Sequence, residues 1–182
     1  MHIPAGVHII YGGSYAEQQN AFRELLIILI LAALLVFTVI LFLFKKVRVA
    51  LAIIFIAALG IVGSIIALMI TGTPLNVGSY TGIIMIVGII GENAIFTYLQ
   101  YNEARKEGKN LDEAIVFSIS LRLRPKLMTA LGAITALLPL ALGMGSGAQL
   151  HQPLAISIIG GLLFGLPLLL IVLPTLLRKI EN

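Results

Sequence analysis

Long uncharged runs alternate with short polar breaks along the whole chain, at a spacing that predicts helices rather than strands. Residues 25–44 are 20 consecutive uncharged positions, which as a helix extend about 30 Å, the thickness of a bilayer's hydrocarbon core. Lys45, Lys46 and Arg48 interrupt the pattern, and 49–70 resumes it until the turn-like stretch TGTPLN at 71–76. A third run, 77–101, is broken only by Glu92. The polar stretch that follows carries Gly108 as a helix stop and Asn110 as a cap, so 111–121 reads as a short amphipathic cytoplasmic helix. Two further spans are predicted at 126–144, with Pro139 tolerated inside it, and at 153–177, separated by the Gly-rich loop GMGSGAQLHQ. The expected fold is an all-α membrane protein of five transmembrane helices, with 1–24 as a periplasmic lead-in and 25–182 as one helical bundle.

Composition agrees with the pattern: 59% of the 182 residues are hydrophobic, 11% are charged, and the mean hydropathy is +1.08. A soluble domain would carry about one-quarter charged residues. The chain has no Cys, which excludes disulfides and thiolate metal sites. Residues 1–20 have neither a basic start nor an apolar core, so no secretory signal is read there. Net charge is +4, but its placement gives it meaning. Five spans alternate sides, and the segments 45–48, 102–126 and 178–182 then share one side and hold 11 of the 12 Lys and Arg, Arg23 being the exception. The positive-inside rule makes that side the cytoplasm. The N-terminus and the loops at 71–76 and 145–152 are therefore expected outside and the C-terminus inside, and no nucleic-acid partner is expected.

Two features within the spans bear on function. Gly78 with Gly82, Gly161 with Gly165, and Gly88 with Gly91 form small-residue strips that suit close helix packing. Glu92 is the other. A carboxylate near the bilayer centre costs at least about 2.5 to 3.5 kcal/mol, and such residues face a polar partner or a water-filled path. Glu92 precedes the inner end of its span by nine residues, about 13 Å, while Lys126 enters the next span from the inner side. An ion pair between them is possible, and so is a Lys126 that snorkels to the headgroups. Asn93 and Thr129 complete a polar cluster, although Asn93 equally suits an interhelical hydrogen bond and Thr129 a bond to its own helix carbonyl. A proton relay is the chemistry such a cluster serves. No nucleophile–base constellation, H-E-x-x-H or phosphate-binding loop is present, so an enzyme is not expected, nor a cofactor. His2, His8 and His151 fall on the outer side as solvated loop residues, and Met69, Met85 and Met144 read as apolar filler, so no metal site is assigned.

The stretches GIIMIVGIIGENAIF, LRLRPKLMTALGAITALLPLALGMGSGAQ, PLAISIIGG and LPTLL resemble, in order and spacing, the last three membrane helices of resistance-nodulation-division (RND) efflux permeases. IPAGVHIIYGGSYAEQQNAFREL resembles the exit from their periplasmic porter domain into the eighth helix, so the resemblance covers the whole chain as helices eight to twelve of twelve. It implies a proton-driven exporter of metal ions or small hydrophobic compounds in the bacterial inner membrane. It also implies a trimer that works with a periplasmic adaptor and an outer-membrane channel. At the position of Glu92, drug-exporting members usually carry Lys, in KNAI; here ENAI keeps Asn93, Ala94 and Ile95. Copper and silver exporters carry Glu there and join it to the Lys of RPK, matched by Lys126, whereas Thr129 matches the relay threonine of drug exporters. The motif is thus a hybrid. The Met that precedes Ile-Gly-Gly in copper and silver exporters is Ile158 here, which argues against soft-metal specificity. The paired aspartates of the family's fourth helix and its porter domains belong to the remaining half of such a permease. A non-catalytic membrane scaffold or assembly subunit, or a truncated fragment, derived from an RND permease is the alternative reading.

Overall fold

The computed structural model describes residues 14–145 and 147–181. His2, His8 and the first half of the expected lead-in lie outside them. Five helices account for almost all of the described chain: α1 (Ser14–Phe44), α2 (Val47–Ile70), α3 (Val77–Lys106), α4 (Leu111–Ala141) and α5 (Ala148–Glu181). Among the described residues there is no β-strand. Four of the five helices, all but α4, are long and apolar enough to cross a membrane. The protein is an all-α membrane protein.

Each connection has a local cause. Only Lys45 and Lys46 join α1 to α2, and the reversal is made by Lys45 at φ 53°, a left-handed conformation that costs a non-glycine residue roughly 1–2 kcal/mol. α2 ends where the Thr71 N–H reaches back to the Ala67 carbonyl. α3 then opens on a reciprocal cap, in which Asn76 Oδ1 accepts from the Ser79 N–H at 3.0 Å and Ser79 Oγ accepts from the Asn76 N–H at 3.3 Å. Gly108, at φ 87°, turns the chain out of α3. The Glu113 carboxylate accepts from the Asn110 N–H at 3.2 Å and starts α4. Past α4, the Gln152 side-chain amide donates to the Ala141 carbonyl at 2.9 Å and closes the helix end that would otherwise be open.

Two boundaries differ from the sequence expectation. The chain is already helical at Ser14, ahead of the expected start near 25, because Gln19, Asn20, Arg23 and Glu24 are polar but not helix breakers. The separate amphipathic helix at 111–121 and the span starting at 126 are one helix, Leu111–Ala141. Arg122, Leu123 and Arg124 between them favour helix, and Pro125 removes a single backbone bond without a glycine beside it to end the run. Lys126 therefore stands within a continuous rod, and the apolar part of α4 beyond it is short.

α2 and α5 share the largest interface, and α3 packs on both, with α1 on α3 and α2 and α4 on α3 and α5. Glycines set the approach of the central helices. A methyl on Gly160 would lie 2.3 Å from Ala67 Cβ and 2.9 Å from the Gly63 carbonyl, and one on Gly165 would lie 3.4 Å from Gly60 Cα. Beside this crossing the Ser64 hydroxyl donates to the Ser157 carbonyl at 2.7 Å. Ile86 and Ile90 of α3 fill the hollows left by Gly161 and Gly165, and Tyr98 stacks on Tyr101 and meets Phe44 edge-on at the end of the core.

Candidate functional site

The polar residues of the third and fourth helices sort onto two faces of α3. At 100° per residue, Asn93 and Thr97 lie one turn apart on one face, while Glu92 points about 140° away from Thr97. The Asn93 side-chain amide donates to the Ile89 carbonyl at 2.8 Å, and the Thr97 hydroxyl donates to the Asn93 carbonyl at 2.8 Å. Into this face α4 inserts Lys126, which is 6% exposed and whose Nζ donates to Thr97 Oγ1. The hydroxyl thus uses its proton on its own helix and its lone pair on the ammonium.

Lys126 and Glu92 form no ion pair, which the sequence had left possible. Facing α4 is a matter of angle, and Ala94 and Thr97, buried on that side of α3, occupy it in place of Glu92. Thr129 is exposed, and its hydroxyl turns back to the Pro125 carbonyl at 3.1 Å and the Lys126 carbonyl at 3.0 Å. Of the four polar residues singled out in the sequence, the fold therefore brings Asn93 and Lys126 together through Thr97 and leaves Glu92 and Thr129 outside that contact.

Glu92 stands instead on an open face of α3 with Met85, Gly88 and Phe96, all exposed. Among the described residues it has no hydrogen-bond or ion-pair partner. Gly88, one turn before it, has no atom within 4 Å of where a side chain would begin. The other strip glycines have close neighbours: a methyl added at Gly82 would meet Ser157 and the Leu154 carbonyl, one at Gly91 would meet Val36 of α1, one at Gly161 Ile86, one at Gly165 Ile90, and one at Gly78 would lie 3.5 Å from the Leu150 carbonyl. Gly88 alone of the six faces away from this bundle. The guanidinium of Arg122 covers the Phe96 ring at 4.9 Å, and its buried Nε has no hydrogen-bond partner.

Thr97 and Arg122 were not singled out from the sequence. Their spacing carried the signal: Thr97 follows Asn93 by one turn, and Arg122 precedes Lys126 by one turn, so each extends the face of a residue already suspected. Together these groups place one carboxylate on an accessible face of α3 and one buried ammonium against a neutral hydroxyl.

Comparison with known proteins places the chain. Residues 1–181 match the AcrB/AcrD/AcrF family. The chain is 35% identical over 176 residues to the cobalt-zinc-cadmium resistance protein CzcA of Cupriavidus metallidurans, covering 97% of this chain and 17% of that protein. It is 33% identical to the swarming motility protein SwrC of Bacillus subtilis, covering 94% of this chain and 16% of that one. With the multidrug resistance protein MdtC of Proteus mirabilis it shares 35% identity, covering 88% and 16%. A crystal structure of a heavy metal efflux pump superposes with a TM-score of 0.82 at 33% identity, over 100% of this chain and 18% of that chain. The chain spans about one-sixth of the length of the relatives it matches. With its helices, its packing and its motifs accounted for over nearly every residue, this chain belongs to the AcrB/AcrD/AcrF family, the RND efflux permeases.

Proposed function

We propose that the chain forms the C-terminal membrane part of a proton-driven efflux transporter, in which Glu92 and Lys126, with Thr129 and Asn93, carry protons through the bilayer. The observation that supports this most is the setting of Glu92. It lies within a membrane helix, unpaired, on a face where Gly88 leaves room for another element to approach. A carboxylate left against lipid would be costly, so a polar surface of the remaining permease half belongs there. In one state of the cycle that surface, or a released Lys126, favours the ionised acid; in a drier state the neutral acid is favoured, and the difference between the two is the coupling.

In this reading the N-terminus and the α2–α3 and α4–α5 loops face the periplasm and the C-terminus the cytoplasm, as the basic segments require. The membrane is the bacterial inner membrane, and a trimer engages a periplasmic adaptor and an outer-membrane channel. The cargo is a metal ion or a small hydrophobic compound; the names of the relatives speak of cobalt, zinc and cadmium resistance and of multidrug resistance.

The test uses the chain assembled with its remaining permease half in vesicles under an imposed pH gradient. Glu92→Gln keeps shape and polarity but cannot titrate, and export is expected to fall by at least about tenfold, whereas Glu92→Asp retains part of the rate. Lys126→Met is expected to impair export as well. Export at the wild-type rate by the Glu92→Gln protein would refute the relay. A wild-type chain that assembles with its partner half yet drives no export would identify a membrane scaffold.

A further inference from the structure

At the end of the bundle where α2 begins and α5 finishes, the two helices leave a groove of about 420 Å³ between them, lined by Arg48, Leu51, Ala52, Phe55, Leu176 and Lys179. We infer that this groove binds an anionic phospholipid, its headgroup phosphate between Arg48 and Lys179 and the upper part of an acyl chain along Leu51, Phe55 and Leu176.

Sequence spacing builds the site. Arg48, Leu51 and Phe55 follow one another at three and four residues on one face of α2 and rise about 10 Å from cation to ring. Leu176 and Lys179 run in the reverse order, apolar then cationic, on antiparallel α5, so both cations fall at one end of the groove. The lining contains no carboxylate. Among the described residues neither Arg48 nor Lys179 makes an ion pair; the nearby Arg178 is held by Asp112 at 2.8 Å. The first turn of α2 contains no acidic residue, and Lys46 gives it no side-chain cap, so the free N–H groups of that turn add positive potential at the same end. Two unpaired cations above a half-apolar wall complement a lipid that has a negative head and an apolar tail, the arrangement expected of basic pockets between membrane helices.

The groove also lies away from the face assigned to the rest of the permease. α3 meets α2 and α5 through Ile86 and Ile90, and Ile90 is two residues from Glu92, about 160° around the helix. The groove and Glu92 thus lie on opposite sides of α3. The inference therefore stands on the groove alone and does not need the proton relay.

The purified full chain in detergent is incubated with equal amounts of phosphatidylglycerol and phosphatidylethanolamine bearing the same chains, and bound lipid is read by native mass spectrometry. The wild type is expected to retain phosphatidylglycerol over phosphatidylethanolamine by about tenfold. The double variant Arg48→Ala/Lys179→Ala loses that preference, while Arg48→Lys/Lys179→Arg and Lys106→Ala, a cation outside the groove, keep it. Leu51→Asn lowers retention of the anionic lipid without changing helicity. An unchanged preference in the alanine double variant would overturn the assignment. So would displacement of the lipid by millimolar inorganic phosphate, which would mark a free-anion site.

Discussion

The α2–α5 crossing gives the sharpest stability prediction, because its closest atoms belong to the backbone or sit one bond from it. In Gly160→Ala the new methyl would be 2.3 Å from Ala67 Cβ and 2.9 Å from the Gly63 carbonyl. Neither can rotate away, so the helices must separate by roughly 1.2 to 1.7 Å to restore carbon–carbon contact at about 3.5 to 4 Å. Such overpacking costs about 1–3 kcal/mol. The same opening stretches the 2.7 Å bond from Ser64 to the Ser157 carbonyl towards breaking, which adds about 0.6 to 1.5 kcal/mol. Alanine's better helix propensity returns up to about 1 kcal/mol. The net loss is about 0.6 to 4.5 kcal/mol. Gly88→Ala receives the propensity gain with nothing to collide against and is the comparator. Titration from mild micelles into SDS, followed by far-ultraviolet circular dichroism, reads both. The reasoning fails if Gly160→Ala unfolds at the same SDS fraction as Gly88→Ala.

Two further outcomes follow from the fold. Cysteines introduced singly at Leu75 and Gln149, both exposed beside the α2–α3 and α4–α5 loops, are expected to react with an impermeant thiol reagent in intact spheroplasts, and ones at Lys46 and Lys106 only after lysis; the reverse pattern would invert the proposed topology. Thr97→Val removes the acceptor of Lys126 while keeping the shape, and is expected to cost about 1–3 kcal/mol in the same SDS titration, with Thr97→Ser restoring most of it; a valine variant as stable as the wild type would mean that the ammonium escapes to the headgroups instead.

The lengths of the apolar runs made most of the fold legible, since α2 and α3 begin within two residues of their expected starts and the polar connections fall where Gly108, Asn110 and TGTPLN stand. Polarity was misleading where it was taken for a break. Residues 14–24 and 122–125 hold several charged or polar side chains yet are helical, because a polar side chain leaves the backbone bonding intact and the single bond that Pro125 removes is not enough to end the run. For the site, Glu92 was visible as one charge in an apolar run. Its relation to Lys126 was not, since that depends on the rotation of α3 about its axis, set by Ile86 and Ile90 seating in glycine hollows of α2 and α5. Packing partners far away in the chain decide which residue, Glu92 or Thr97, greets the fourth helix.

An ammonium that finds its partner only on a neighbouring helix makes α4 a dependent passenger during biogenesis. α1 and α2 are long and apolar enough to cross a membrane, and almost none of the apolar length of α1 is covered by the other helices. α4 is not on that footing: Arg122, Arg124 and Lys126 crowd its entrance, and the stretch behind them is short. Its insertion becomes favourable once α3 is present to offer Thr97 to Lys126 and the Phe96 ring to Arg122. The chain therefore delivers its helices to the membrane in an order that the ribosome already respects, with the acceptor synthesised before the charge that needs it.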